Sequence, residues 1–140
     1  MEKNKSYVLD TSALFCLKDD EEGAARVENI LQEAKNGNCQ AYASFMSLME
    51  YLYITLIRYG EDLAHKAYLE LSLLPIKIIE SNEDLRLAAA EFKANHNISV
   101  ADAWIAATAK IIAATLVHKD PEFEAIKHSV KCLALPFKAS

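Results

Sequence analysis

Four carboxylates stand apart from the other acids of this 140-residue chain. Asp10 closes the short apolar run Tyr7-Val8-Leu9, and Asp120 follows Thr115-Leu116-Val117-His118 by two residues. Glu50 lies inside Ser47-Leu48-Met49-Glu50-Tyr51-Leu52-Tyr53, and Asp102 sits among Val100, Ala101, Ala103 and Trp104. The remaining acids mostly fall in runs that read as solvated, such as residues 19–22 and 80–84. A desolvated carboxylate without a partner is costly, and converging carboxylates raise one another's pKa. A hard divalent cation relieves both problems, and Mg²⁺ and Mn²⁺ prefer oxygen ligands. Such ions acidify bound water, and two of them about 4 Å apart can clamp the attacking and leaving oxygens of a phosphodiester. Two divalent ions would also take the formal charge from −5 to −1.

The elements that must position these acids alternate along the chain. Tyr7–Leu9 reads as a buried first strand, and Asp10 or Thr11 suits the cap of the helix that follows. Ala25, Val27, Ile30, Leu31 and Ala34 mark a second helix, with the acids before it placed as at a helix N-terminus. Asn36-Gly37-Asn38 stops it. Cys39–Ala43 is a second strand. A strongly apolar helix then starts at Ser44 or Ser47 and ends before Gly60. Glu61–Leu73 forms a fourth helix and Ile76–Ile79 a third strand. Ser81-Asn82-Glu83-Asp84 opens a capped helix to about Ala94. Ser99 opens an Ala-rich helix through Ala113, followed by a strand over Thr115–His118. Pro121 suits the first turn of a short helix, and Val130–Leu133 is the fifth strand. Alternation of this kind predicts a parallel sheet with helices on both faces. Ligands bind such sheets beyond the carboxyl ends of the strands, where Asp10 and Asp120 fall.

Taken singly, each acid has an ordinary explanation. Asp10 and Asp120 could be helix caps, Asp102 a first-turn acid satisfying a helix dipole, and Glu50 a half-exposed helix flank. Their order on the strand–helix rhythm favours one shared site. Composition agrees with one domain over residues 1–140. The chain is 52 % apolar and 25 % charged, and a domain of this size buries roughly 68–70 % of its unfolded surface. Disorder, collagen and disulfide scaffolds are excluded. The negative balance argues against holding nucleic acid by bulk charge, but not against touching it through a metal ion. Cys16, Cys39 and Cys132 have no zinc-ligand spacing and read as free, buried thiols. No apolar run approaches the roughly 18 residues of a membrane span, and no signal peptide is evident. The cytoplasm is the expected compartment.

The segments Tyr7-Val8-Leu9-Asp10-Thr11-Ser12-Ala13, Ser44-x-x-Ser47-Leu48-x-Glu50, Ile98-Ser99-Val100-Ala101-Asp102-Ala103-x-Ile105-Ala106-Ala107-Thr108-Ala109 and Leu116-Val117-x-x-Asp120-Pro121-Glu122-Phe123 resemble the PIN domain. The most similar type is the VapC-like toxin of VapBC toxin–antitoxin pairs, and the resemblance spans essentially the whole chain. It implies a five-stranded parallel sheet in a three-layer α/β/α sandwich. It also implies Mg²⁺- or Mn²⁺-dependent endoribonuclease activity, a homodimer and a cognate antitoxin. The matching carboxylates are Asp10, Glu50, Asp102 and Asp120. Thr11 or Ser12 matches a hydroxyl position that orients a metal-bound water. Asp120 keeps the family's spacing to Phe123, while Glu122 stands close enough to share the fourth acidic role. Many relatives carry Thr or Ser where this chain has His118.

Other constellations carry less. His65, His96, His118 and His128 are scattered, and only His118 sits at a strand end. No phosphate-cradling Gly-rich loop is present. Arg58, Lys93, Lys110, Lys119, Lys127 and Lys131 could guide a phosphate backbone, although solvated helix faces explain most of them. Tyr51, Leu52, Tyr53, Leu56 and Ile57 form an apolar stripe that exceeds one buried face and leaves room for a dimer or antitoxin groove. Two other readings remain: an inert PIN-like module binding RNA or protein, and a phosphoryl-transfer protein of the haloacid dehalogenase or receiver type. The dehalogenase type wants an Asp where Ser12 stands, and a receiver wants one where the third strand ends at Ile79-Glu80.

Overall fold

A computed structural model describes residues 5–138. Strand β1 (Ser6–Leu9) leads into α1 (Thr11–Lys18) and α2 (Ala24–Lys35). Strand β2 (Gln40–Ser44) is followed by α3 (Phe45–Tyr59) and α4 (Glu61–Ser72). Strand β3 (Lys77–Ile79) precedes α5 (Glu83–Asn95) and α6 (Val100–Ile111). Strand β4 (Thr115–His118), a 3₁₀ turn α7 (Pro121–Ile126) and β5 (Cys132–Ala134) complete the described chain. The five strands are all parallel, in the order β3-β2-β1-β4-β5.

Period-two alternation in the central strands builds the three layers. Val8 of β1 and Leu116 of β4 point into a core formed with α5 and α6, through Leu85, Phe92 and Ile105. Their neighbours Leu9 and Val117 point to the opposite face, against Leu14, Val27, Tyr51 and Leu71 of α1 to α4. All four strand residues are fully buried, as central strands covered on both sides must be. The chain leaves β1 towards β2 and β3 on one side and returns to β4 on the other. The switch point therefore lies between β1 and β4, and their carboxyl ends open a crevice there. The Asp10 N–H extends the β1–β4 ladder by donating to the Val117 carbonyl at 2.9 Å.

The caps decide the open alternatives. Asp10 caps α1, Ser44 caps α3, and Ser99 caps α6 by accepting from the Asp102 N–H at 3.1 Å. The acids at residues 19–22 do not serve α2, which has no acid in its first turn and has Gly23 at its N-cap. They form the α1–α2 loop, where Asp20 takes φ 49°. Helix α6 stops at Ile111, short of the expected Ala113, because Ala113 turns left-handed at φ 54° to feed β4. The helix after Asp120 is a 3₁₀ turn. Cys16 is buried as expected, but Cys39 and Cys132 are only half-buried, and all three are free. No helix among the described residues is long and apolar enough to cross a membrane.

Candidate active site

An open cleft of about 330 Å³ lies over the carboxyl ends of β1 and β4, lined by Asp10, Thr11, Ser12, Glu50, Asp102 and Asp120. All six residues singled out in the sequence thus share one cleft, drawn from four parts of the chain. Each is placed by a local rule. Asp10 is the residue after β1, and its carboxylate closes the first turn of α1 by accepting the Ser12 N–H at 3.0 Å. The Ser12 hydroxyl also donates to Asp10 Oδ2. The same hydroxyl accepts the Lys119 N–H at 2.8 Å, which ties the β1–α1 turn to the β4–α7 turn. Glu50 stands on α3, where Thr11 Oγ1 donates to its Oε1 at 2.7 Å. The two hydroxyls after Asp10 therefore divide the work: Ser12 fixes Asp10, and Thr11 fixes Glu50.

Asp102 reaches the cleft from the first turn of α6 and is 7 % exposed. Asp120 caps the 3₁₀ turn, accepting the Glu122 N–H at 2.9 Å. Carboxylate oxygens of Asp102, Asp120 and Glu122 lie within 4.8 Å of one another. Glu122 thus joins the acidic cluster, although its carboxylate also accepts the Ser99 N–H at the start of α6.

Burial raises the Asp10 pKa to about 7, against the two Ser12 hydrogen bonds, and the charges of Glu50 and Asp120 add to the rise. Glu50 is raised by burial and by Asp120 and Glu122, with the Thr11 bond opposing. Asp102 is pushed well above the carboxylate range by burial, by the Asp10 charge and by its contacts with Glu122 and Asp120. Three carboxyls that resist ionisation where they converge make a donor set a divalent cation would relieve, all of hard oxygen. The residues therefore fit the metal chemistry expected from the sequence.

His118 does not offer a hydroxyl's chemistry. It is 1 % exposed, packed between Phe123 and Phe137 at ring distances of 5.1 and 6.0 Å. Its Nδ1 accepts the Asp120 N–H at 3.3 Å, and its pKa is lowered, chiefly by burial. It is a neutral spacer that holds the backbone of Asp120.

Three cations in the cleft wall were less visible in the sequence. Lys119 is buried rather than on a solvated face. Its Nζ donates to the Glu22 carbonyl at 2.8 Å and meets Glu21 Oε1 at 3.3 Å. Lys138 meets the other Glu21 oxygen at 2.9 Å. Glu21 reads as one acid of a solvated run, yet it is the anion between two lysines, which hold its pKa down although burial opposes them. Arg58 completes the wall. No sequence pattern marks these contacts, because each joins residues far apart in the chain.

The PIN domain family matches residues 7–129. No curated protein gives a significant sequence match. Several solved structures share the fold. In VapBC2 from Rickettsia felis, bound to a DNA fragment from its promoter, the similar chain is 20 % identical with a TM-score of 0.73, covering 94 % of this chain and 99 % of that one. In VapBC-1 from nontypeable Haemophilus influenzae the values are 22 % and 0.71, with coverage of 92 % and 97 %. VapC20 of Mycobacterium tuberculosis, a sarcin–ricin loop cleaving toxin, is 21 % identical with a TM-score of 0.68, covering 85 % and 93 %. The fold, the order of the acids and the family match agree: this chain belongs to the PIN domain family.

Proposed function

We propose that the protein is a Mg²⁺- or Mn²⁺-dependent endoribonuclease and the toxin of a VapBC-type toxin–antitoxin pair. The observation that carries this reading is the convergence of Asp10, Glu50, Asp102 and Asp120 on one cleft, with three of the carboxyls raised in pKa. Asp10, Glu50 and Asp102 would hold a first ion. Asp120, with Glu122 beside it, would help hold a second. Bound there, divalent ions would acidify water and offset charge on the scissile phosphate. The chain's own part is to hold the carboxylates ready: Ser12 on Asp10, Thr11 on Glu50, and the Ser99 cap on the backbone of Asp102. Attack by water with cleavage of the P–O3′ bond, the 3′ oxygen leaving with a proton, gives a 5′-phosphate and a 3′-hydroxyl.

The partner reading rests on a different surface. Met49, Tyr53 and Ile57 of α3, Leu63 and Leu69 of α4, and Leu73 just past its end are all exposed. So much apolar area on two adjacent helices fits a homodimer contact and an amphipathic antitoxin helix. The neighbouring structures that contain VapBC pairs support the antitoxin. An arginine on its tail would match the carboxylates and compete with metal.

The test is cleavage of total RNA with and without Mg²⁺ or Mn²⁺, with Glu50→Gln and Asp102→Asn beside the wild type. Metal-dependent cleavage that leaves 5′-phosphate ends and disappears in both folded variants is the expected result. Ends carrying a 2′,3′-cyclic phosphate would refute the chemistry. A wild type that neither cleaves nor binds metal by calorimetry would favour an inert binding module.

A further inference from the structure

The cleft has two chemically distinct sides. One carries the carboxylates. The other carries the three cations Arg58, Lys119 and Lys138, answered among the described lining residues by Asp19 and Glu21. Among the described residues, one positive charge is left over on that wall. Lys119 is not the free one: its side chain is 4 % exposed and bound at both the Glu22 carbonyl and Glu21. Lys138 must share the single Glu21 charge and is 70 % exposed. Arg58 meets Asp19 only at 4.0 Å, with one nitrogen, so most of its five donors are open.

Arg58 is nonetheless held in place. Its guanidinium lies over the Phe15 ring at 5.3 Å, and Phe15 stacks on Tyr51 at 4.7 Å. Stacking fixes the planar head without consuming its hydrogen bonds. Glu50, Ile54 and Arg58 are spaced four residues apart on α3, and all three line the cleft. One helix face therefore carries a carboxylate of the acidic cluster and, eight residues on, the arginine. At 1.5 Å per residue their backbones stand about 12 Å apart along the axis. That offset sets Arg58 to one side of the acidic cluster, where the phosphate next to the scissile one would run.

Resting on the nuclease reading, we infer that Arg58 and Lys138 form a subsite for a backbone phosphate of single-stranded RNA flanking the scissile one. The subsite also explains how an acidic protein seats a polyanion. Contact is confined to one cationic wall, and the strand enters the cleft with a set polarity.

The probe is a fluorescent oligouridylate with phosphorothioate linkages that slow hydrolysis, titrated in Mg²⁺ across about 50–200 mM salt. Each phosphate contact contributes about −0.7 to the slope of log affinity against log salt for a single strand. Arg58→Gln and Lys138→Gln are each expected to flatten the slope by about that amount and to weaken binding about fivefold at 0.1 M salt. Arg58→Lys should keep the slope, since it keeps the charge. A double variant with the wild-type slope overturns the subsite. Lys138 is exposed near the end of the described chain, so its variant keeps the test readable if Arg58→Gln unfolds. If the wild type does not bind the probe yet cleaves total RNA in Mg²⁺, the subsite fails and the nuclease reading stands. If it does neither, both fail.

Discussion

Asp10→Asn should stabilise the metal-free protein while removing its metal response. Asp10 is 2 % exposed, and its pKa rises from 3.8 to about 7 on folding. The folded state thus keeps a proton that the unfolded chain has already released. Stability falls as pH climbs from about 4 to about 7 and then levels off. Each tenfold change in proton affinity is worth about 1.36 kcal/mol. Ionised Asp10 therefore costs the metal-free fold about 4 kcal/mol at pH 8 and less than half of that at pH 5. Asparagine keeps the shape, caps a helix as well as aspartate does, and its carbonyl can still accept both Ser12 donors. In chelator, urea unfolding at pH 8 should find the variant more stable by up to about 4 kcal/mol, with the gap shrinking towards pH 4. Mg²⁺ should close most of that gap. An ion at a hundred times its Kd adds about 2.7 kcal/mol to the state that binds it, and only the wild type retains the full donor set. A variant less stable than the wild type at pH 8 in chelator would refute the claim that the acidic cluster is frustrated without a cation.

Three further outcomes are expected. Thr11→Val removes the 2.7 Å bond to Glu50 and leaves the carboxylate free to turn; metal affinity by calorimetry should fall about 10-fold or more, the usual cost of losing an orienting partner. Asp120→Asn and Glu122→Gln, compared for metal affinity and cleavage, separate the two neighbours: both contribute to the cluster within 4.8 Å, but only Asp120 lines the cleft, so Asp120→Asn should cost more. Gly23→Ala should lower stability by about 1–3 kcal/mol in urea unfolding, because Gly23 sits at φ +105° and a Cβ there would lie 3.2 Å from Leu135 and Pro136.

Much of the fold was legible because its rules are local. The alternation of short apolar runs with 3.6-period segments gave the five strands in order. Capping residues announced the helix starts, with the choice between Asp10 and Thr11 and between Ser44 and Ser47 left to the folded chain, where Asp10, Ser44, Asn82 and Ser99 accept backbone N–H groups. Errors came where a tertiary contact overrode a local preference. The acids at 19–22 look like a helix entry, yet Glu21 is drawn away to Lys119 and Lys138. The apolar run of α6 continues past its end, but Ala113 must turn left-handed for β4 to enter beside β1.

The acids of the site were legible for a reason opposite to that of the core. A core residue is read by agreement with its surroundings, whereas Asp10, Glu50 and Asp102 were read by disagreement, as single charges among apolar or small neighbours. That disagreement persists in the folded chain as raised pKa values, so the local conflict in the sequence and the electrostatic conflict in the structure are one fact seen twice. The cationic wall has no such conflict. Arg58 at a helix end, Lys119 in a loop and Lys138 in a tail are each ordinary where they stand, and only the fold makes them neighbours. What sequence reading recovers from a site is therefore its costly part. The residues that guide a substrate at little cost to stability do not stand out until the chain is folded: Arg58 and Lys119 read as two basic side chains among six, and Lys138 as one more lysine.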